Sequence, residues 1–211
     1  CANKTSLANL LASSDQLAEL RMGRALTGFL FNENRSEQQE WVDDLLSRLE
    51  INNDTDSVVC VLDSGVNNGH PLLEPIIPEK NCGSVVGEGI ADGNGHGTRM
   101  CGIVIYGDMS SYLANNQKIQ IDNQVGSVKL LPHNRPNRKE IWGFLTEQAV
   151  ATSEIIFPKK TICYCMAMTA EESEKGNPTS WSGAVDSIAY NNNEKGRLLM
   201  ISAGNVDFLD K

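Results

Sequence analysis

The sequence lacks several features that define large classes of proteins. None of its apolar runs reaches the roughly 18 residues that a membrane helix needs. Its start has no basic region followed by an apolar one, so neither a membrane anchor nor a signal peptide is predicted. Positive charge is also scarce: 27 acidic residues outnumber 18 lysines and arginines, for a net charge of -9. Because a nucleic-acid surface must neutralise phosphates, nucleic acid is not expected as a partner.

The cysteines are few and lack the spacing of metal ligands. There are six, with no Cys-x-x-Cys pair among them. Cys60 and Cys163 fall in apolar runs typical of buried strands, where a thiol behaves as a small apolar group. We therefore expect reduced core thiols and a cytoplasmic protein rather than a disulfide framework. No cofactor is predicted, and calcium cannot be inferred, because Glu74, Glu88 and Asp92 are interpreted as solvated surface residues.

The first part of the chain is helix-prone. Leucines recur there at near-helical spacing, so we assign residues 1–35 to a helical extension or linker that precedes a main domain at 36–211. Ser36, with Gln39 three residues later, has the pattern of a capping box. This box is expected to open a helix that runs through Leu49.

From residue 57 onwards the pattern changes to short apolar runs rich in β-branched residues, typical of buried parallel strands. These runs are residues 57–62, 127–131, 161–166 and 198–202. Helical patterns lie between them, at residues 97–106, 140–152 and 180–190. Strands that alternate with helices form a parallel sheet with helices on its faces. The predicted fold is therefore a doubly wound, mostly parallel α/β sheet.

Active sites of such sheets lie at the carboxyl ends of the strands. Three strand ends or loops of this sequence carry residues that could take part in catalysis. Asp63 follows the first strand and precedes Ser64 and Gly65. His96 lies between two glycines at the start of an apolar helix, and Asn205 follows Ala-Gly at the end of the last strand. Each segment alone is also compatible with an ordinary turn. An asparagine amide in such a place can donate a hydrogen bond to a developing oxyanion.

Taken together and in this order, Asp-Ser-Gly, His-Gly-Thr and Ala-Gly-Asn resemble the motifs of the subtilisin-like serine peptidases, the subtilases. The resemblance runs from about residue 36 to residue 207 and includes a His-Pro-x-Leu sequence at residues 70–73. It implies that Asp63 orients the imidazole, that His96 is the general base, and that Asn205 donates to the oxyanion.

The same resemblance implies how a substrate is held. The end of the strand at 161–166 is expected to bind an extended peptide by strand addition. Ala167, Met168 and Thr169 fall where the family lines its first and fourth specificity pockets. The family usually has Ser-Leu-Gly at these positions, so the pockets of this chain are expected to differ in shape.

One element of the family pattern is missing. The nucleophile of subtilases lies in Gly-Thr-Ser, well beyond the oxyanion asparagine, and no such motif occurs in this sequence. We expect the serine, with the rest of the sheet, to lie beyond Lys211, so that residues 1–211 alone are inactive. The expected partners are protein or peptide substrates and that remaining part of the chain, and no membrane.

Two alternatives to a serine endopeptidase stay open. One is a pseudo-peptidase that binds extended peptides in its substrate cleft without cutting them. The other is a cysteine peptidase with a thiol near His96. Cys101 lies five residues further along the same helix, which at 3.6 residues per turn directs it away from His96.

Overall fold

A computed structural model describes residues 30, 32–169 and 177–204. The helices and strands below all belong to the compact unit Asn34–Lys211. Nearly all of the predicted helical extension, and Asn205, lie outside the described residues. Within the described ranges no helix combines the length and the apolar character needed to cross a membrane.

The described residues form five α-helices and seven β-strands. The helices are α1 (Arg35–Ser47), α2 (His96–Tyr106), α3 (Ser110–Leu113), α4 (Trp142–Ile156) and α5 (Ser180–Tyr190). The strands are β1 (Leu49–Ile51), β2 (Ser57–Asp63), β3 (Cys82–Ser84), β4 (Ile119–Ile121), β5 (Gln124–Lys129), β6 (Thr161–Met166) and β7 (Leu198–Ile201).

Five of the strands form one parallel sheet in the order β3-β5-β2-β6-β7. A separate parallel pair joins β1 to β4. The order in the large sheet reverses direction at β2, because β5 lies on one side of it and β6 on the other. Such a reversal opens a crevice at the carboxyl end of the central strand. The predicted α/β fold with a mostly parallel sheet is confirmed.

Alternation along β2 divides the core into two layers. Cys60 and Leu62 belong to a cluster with residues of α4 and α5. Val61 points to the opposite face, where it packs in a cluster that includes Cys101 of α2. Successive side chains of a strand point to opposite faces, so Asp63 shares the face of Val61. The carboxylate at the strand end is therefore presented to α2.

The boundaries of α1 differ from those predicted. Asn34 is the N-cap: its Oδ1 accepts hydrogen bonds from the backbone N–H groups of Ser36 and Glu37, at 2.9 and 3.1 Å. The Glu37 carboxylate in turn accepts from Asn34 N at 2.9 Å. The predicted Ser36–Gln39 capping box is thus wrong. Asparagine caps helices as well as serine does, so the sequence offered two overlapping patterns.

Two further elements are shifted: the strand predicted at 127–131 is β5, Gln124–Lys129, and the helix predicted at 140–152 is α4, Trp142–Ile156. The strand at 161–166 and the helix at 180–190 are confirmed to the residue, while β2 and α2 each extend by one residue, to Asp63 and back to His96. The strands β1, β3 and β4 were not predicted. Each has three residues, too few to show a period of two.

The five described cysteines are free, and their burial predicts unequal reactivity. Cys60 and Cys101 are fully buried, whereas Cys163, expected in the core, is only half-buried. Burial raises the pKa of both buried thiols, that of Cys101 to about 12. Because the thiolate is the reactive form, iodoacetamide at pH 8 should label Cys163 at least about tenfold faster than Cys101 in the native protein. Mass spectrometry of the labelled peptides measures this ratio; equal rates that persist under native conditions would contradict the packing.

Candidate active site

Asp63 ends β2 with a side chain that is completely buried. Its Oδ1 lies 2.7 Å from Ser64 N, which donates to it, and 3.1 Å from Ser64 Oγ. Its backbone oxygen accepts from the N–H groups of Leu130 and Leu131 at 2.7 and 3.1 Å. A buried carboxylate is costly unless donors surround it. These contacts therefore hold the carboxylate in one orientation at the sheet edge.

His96 is the first residue of α2 and faces that carboxylate. Its Nδ1 lies 2.8 Å from Asp63 Oδ1 and 3.0 Å from Oδ2. A carboxylate accepts hydrogen bonds, so Nδ1 is the donor, and in the neutral ring Nε2 then carries the lone pair. The His96 side chain is 45% exposed, in contrast to the buried aspartate. The second ring nitrogen is thus available to a further group.

Two glycines, Gly65 and Gly97, allow the start of α2 to lie this close to the end of β2. A Cβ added to Gly97 would overlap the backbone oxygen of Gly65 and lie 3.2 Å from Gly65 N and from Ser64 Oγ. Gly65 itself has φ +102°, and a Cβ there would overlap the backbone oxygen of Ile90. Only glycine suits both positions, because one requires backbone contact and the other a left-handed conformation. The start of α2 therefore lies directly against the end of β2.

Asp92 organises the turn that leads into α2. Its Oδ1 accepts from the backbone N–H groups of Asn94 and Gly95 at 3.1 and 2.9 Å. Its Oδ2 accepts from Thr98 N at 2.8 Å and from Thr98 Oγ1 at 2.7 Å. Asn94 Oδ1 in turn accepts from His96 N at 2.8 Å. These bonds satisfy backbone donors at the start of the helix that would otherwise lack partners.

The interpretation of Asp92 as a solvated surface residue is therefore wrong. The residue is only 7% exposed. Burial by itself raises the pKa of Asp92, but the hydrogen bonds from Thr98, Asn94 and Ser64 together outweigh it and lower the pKa to about 2. One signal in the sequence could have identified Asp92 as a structural residue: it lies four residues before His96 and is followed by Thr98, whose hydroxyl and N–H can donate to it. Glu74 is exposed, as expected.

Ser64 joins the two carboxylates. Its hydroxyl oxygen lies 3.1 Å from Asp63 Oδ1 and 2.9 Å from Asp92 Oδ1. It also accepts a hydrogen bond from Gly97 N at 3.0 Å. One buried hydroxyl thus connects the strand end, the turn and the helix. Ser64 is only 3% exposed, so this connection is shielded from solvent.

The predicted substrate-binding residues lie at the same edge of the sheet. Ala167 and Met168, just past β6, are half-buried, and Thr169 is exposed. Met168 and Thr169, unlike Ala167, line an apolar cavity of about 150 Å³. Its lining includes Trp142 and Trp181, whose rings meet edge to face with centroids 5.2 Å apart.

Asn205, the third predicted catalytic residue, lies outside the described residues. The chain that leads to it is described as far as Gly204, which has φ +102°. Ser202 N donates to Met166 O at 3.2 Å, so the chain just after β7 still runs beside the end of β6. A Cβ on Gly204 would lie 3.8 Å from a side-chain atom of Thr169. The segment that precedes Asn205 therefore adjoins the predicted substrate-binding residues.

The other candidates do not join this site as reactive groups. His70 is exposed, and its Nδ1 accepts from Leu72 N at 3.2 Å. The His133 ring packs against Gly93. Cys101 is fully buried, with a thiol pKa raised to about 12, so the proposal of a nucleophilic thiol on the His96 helix loses its candidate.

The comparison with protein-family models gives a match. Residues 54–210 match the family model described as the subtilase family. The matched range contains Asp63, His96, the predicted substrate-binding residues 167–169 and the position of Asn205. No curated protein matches the chain.

Replacing Gly97 by alanine tests the backbone contact. The methyl group would overlap Gly65 O, so Gly97→Ala should lower the free energy of unfolding by about 1–3 kcal/mol. Gly102→Ala is the matched control on the same helix. A Cβ there meets nothing within 4 Å, and the change should stabilise by about 0.5–1 kcal/mol. Urea unfolding measures both; equal effects of the two changes would contradict the contact.

Replacing Asp92 tests the turn through its pH dependence. The folded-state pKa of about 2 lies below the ordinary value of 3.8, so the ionised form stabilises the fold. Relative to Asp92→Asn, the wild type should gain about 2 kcal/mol that is fully present above pH 4. This gain should disappear as the pH falls from 4 towards 2. Unfolding free energies of both proteins across that range provide the test, and a difference independent of pH would refute the ionic contribution.

Proposed function

The chain belongs to the subtilase family, a family of serine peptidases, and from this premise we propose that it is the front part of an endopeptidase with an Asp-His-Ser triad. The observation that supports this best is the pair of distances from His96 Nδ1 to Asp63, 2.8 and 3.0 Å. They are of the kind expected between a general base and the residue that orients it. The nucleophile is proposed to be a serine beyond Lys211, because no Gly-Thr-Ser motif occurs in the sequence.

Each residue then has a distinct role. The serine hydroxyl attacks the scissile carbonyl carbon and gives its proton to His96 Nε2, forming a tetrahedral intermediate. Asp63 holds the ring in the tautomer that leaves Nε2 unprotonated beforehand, and stabilises the imidazolium that forms. Asn205 donates its amide to the oxyanion. His96 then gives the proton to the leaving amine. In the second half of the reaction water attacks the acyl group and gives its proton to His96, which passes it to the departing serine oxygen.

The substrate is proposed to be an extended peptide that adds to the sheet edge near Ala167. The cavity lined by Met168 and Thr169 is apolar, and the rings of Trp142 and Trp181 contribute to its wall. Such a cavity favours an apolar side chain of the peptide, with backbone hydrogen bonds fixing its direction.

The same face of the sheet offers a place for the remaining chain. Val61, Cys165 and Met200 are register partners in neighbouring strands, so they share the face of Asp63. On this face Leu198 and Met200 are both 62% exposed. We propose that the segment bearing the serine covers these apolar side chains beside the Asp63–His96 pair. We also propose a cytoplasmic location, supported by the free thiols of the five described cysteines.

A fluorophosphonate probe, which modifies activated serines, tests the proposal. The full-length protein should be labelled at a serine beyond Lys211, and residues 1–211 alone should not be labelled. His96→Ala should slow labelling by about 10³-fold or more, the scale known for other serine peptidases, because the base is lost. His70→Ala, which changes an exposed histidine, is the control and should label like the wild type.

Two results would contradict the proposal. Labelling that survives His96→Ala would show that the site is elsewhere. A folded full-length protein that is never labelled, yet retains extended peptides, would instead support the pseudo-peptidase alternative.

A further inference from the structure

We propose that Lys129 is a positioning residue of the active site, whose buried ammonium group fixes residues 88–92 and through them the start of the helix that bears His96. The effect on catalysis rests on the proposed function, whereas the effect on the orientation of His96 is independent of it.

Lys129 is unusual because its charge lies inside the protein. It ends β5 directly beside Asp63 in the register of β2, and its side chain is 4% exposed. Nζ donates to Ala91 O at 2.9 Å and lies 2.9 Å from a carboxylate oxygen of Glu88. A buried ion pair adds little to stability compared with apolar side chains of similar size. The contacts of the ammonium group are therefore better explained by what they hold in place.

What they hold is a segment without regular secondary structure. Residues 88–92 form neither helix nor strand, so their position depends on individual contacts. One is Val66 N, which donates to Ile90 O at 3.0 Å. The next is the Lys129–Ala91 bond. A third is Glu88, whose carboxylate also accepts from His133 N at 3.1 Å.

The segment ends at the residue that organises α2. Asp92 directly follows Ala91, and its carboxylate binds the backbone of Asn94, Gly95 and Thr98. A shift of Ala91 therefore moves Asp92, and with it the turn whose Asn94 side chain receives His96 N. The imidazole is connected to β5 through this path as well as to β2 through Asp63.

The bond to Ala91 and the ion pair to Glu88 can be separated. Glu88 is partly exposed, at 33%, so its charge is partly screened by water. Glu88→Gln removes the ion pair but leaves the ammonium group to bond Ala91. Lys129→Met removes both and keeps an apolar chain of similar length. If positioning acts through Ala91, the second change has a much larger effect on His96 than the first.

Lys160→Met provides the matched control. Lys160 Nζ also donates to a backbone carbonyl, that of Thr55, at 2.5 Å, and lies 4.0 Å from Asp56. Its contacts are at the opposite end of the sheet, next to the start of β2 and β6. This control therefore measures the general cost of losing a lysine–carbonyl bond, without any path to His96.

The experiment uses the full-length protein and two readouts. The first is the exchange rate of the His96 Nδ1 proton with water, measured by NMR. It should rise at least about tenfold in Lys129→Met and stay within about twofold of wild type in Glu88→Gln and Lys160→Met. The second is peptide hydrolysis. Since a misplacement of 1 Å can cost about 10²-fold, kcat of Lys129→Met should fall by about 10- to 100-fold, with KM nearly unchanged.

Unchanged exchange and unchanged kcat in a folded Lys129→Met would overturn the inference and leave Lys129 a purely structural residue. If that variant does not fold, Lys129→Leu, which likewise has no donor for Ala91 O, replaces it with the same expectations. If the wild type hydrolyses no peptide, the proposed function fails, and proton exchange at His96 alone decides on Lys129.

Discussion

The backbone contact between Gly65 and Gly97 is the constraint on which the site depends. It lets α2 begin directly against the carboxyl end of β2, with no side chain between them. A methyl group at Gly97 would overlap Gly65 O and push the two elements apart, whereas one at Gly65 would overlap the backbone oxygen of Ile90. The distance between His96 and Asp63 is therefore determined by the packing of the main chain.

Charge at this edge is balanced locally rather than by solvent. Asp63 and Asp92 are both buried and share contact with the hydroxyl of Ser64. Each also accepts from nearby backbone N–H groups, which is what makes two buried carboxylates tolerable so close together. The buried ammonium of Lys129 lies at the same strand ends, in a protein whose net charge is -9.

The sequence predicts individual helices and strands well, but it does not predict the contacts between residues of distant elements. The apolar run before Asp63 predicts β2, and the glycine-flanked histidine predicts the start of α2, because both depend on neighbouring residues. Asp92 was misread since an aspartate among glycines and asparagines has the composition of an exposed turn. Only the fold brings the Ser64 hydroxyl to it. Lys129 was hidden for a similar reason: it closes an apolar strand, and its partners lie some forty residues earlier.

The described structure also bears on how the complete site would be assembled. The Asp63–His96 pair is formed within residues 57–98. On the proposed function, a serine that docks on the face of Met200 meets an imidazole whose tautomer is already fixed by Asp63. Docking of that segment then only has to place the serine hydroxyl within hydrogen-bond distance of His96 Nε2. A base oriented in advance costs no reorganisation when the reaction begins, which is the physical advantage of building it into the sheet.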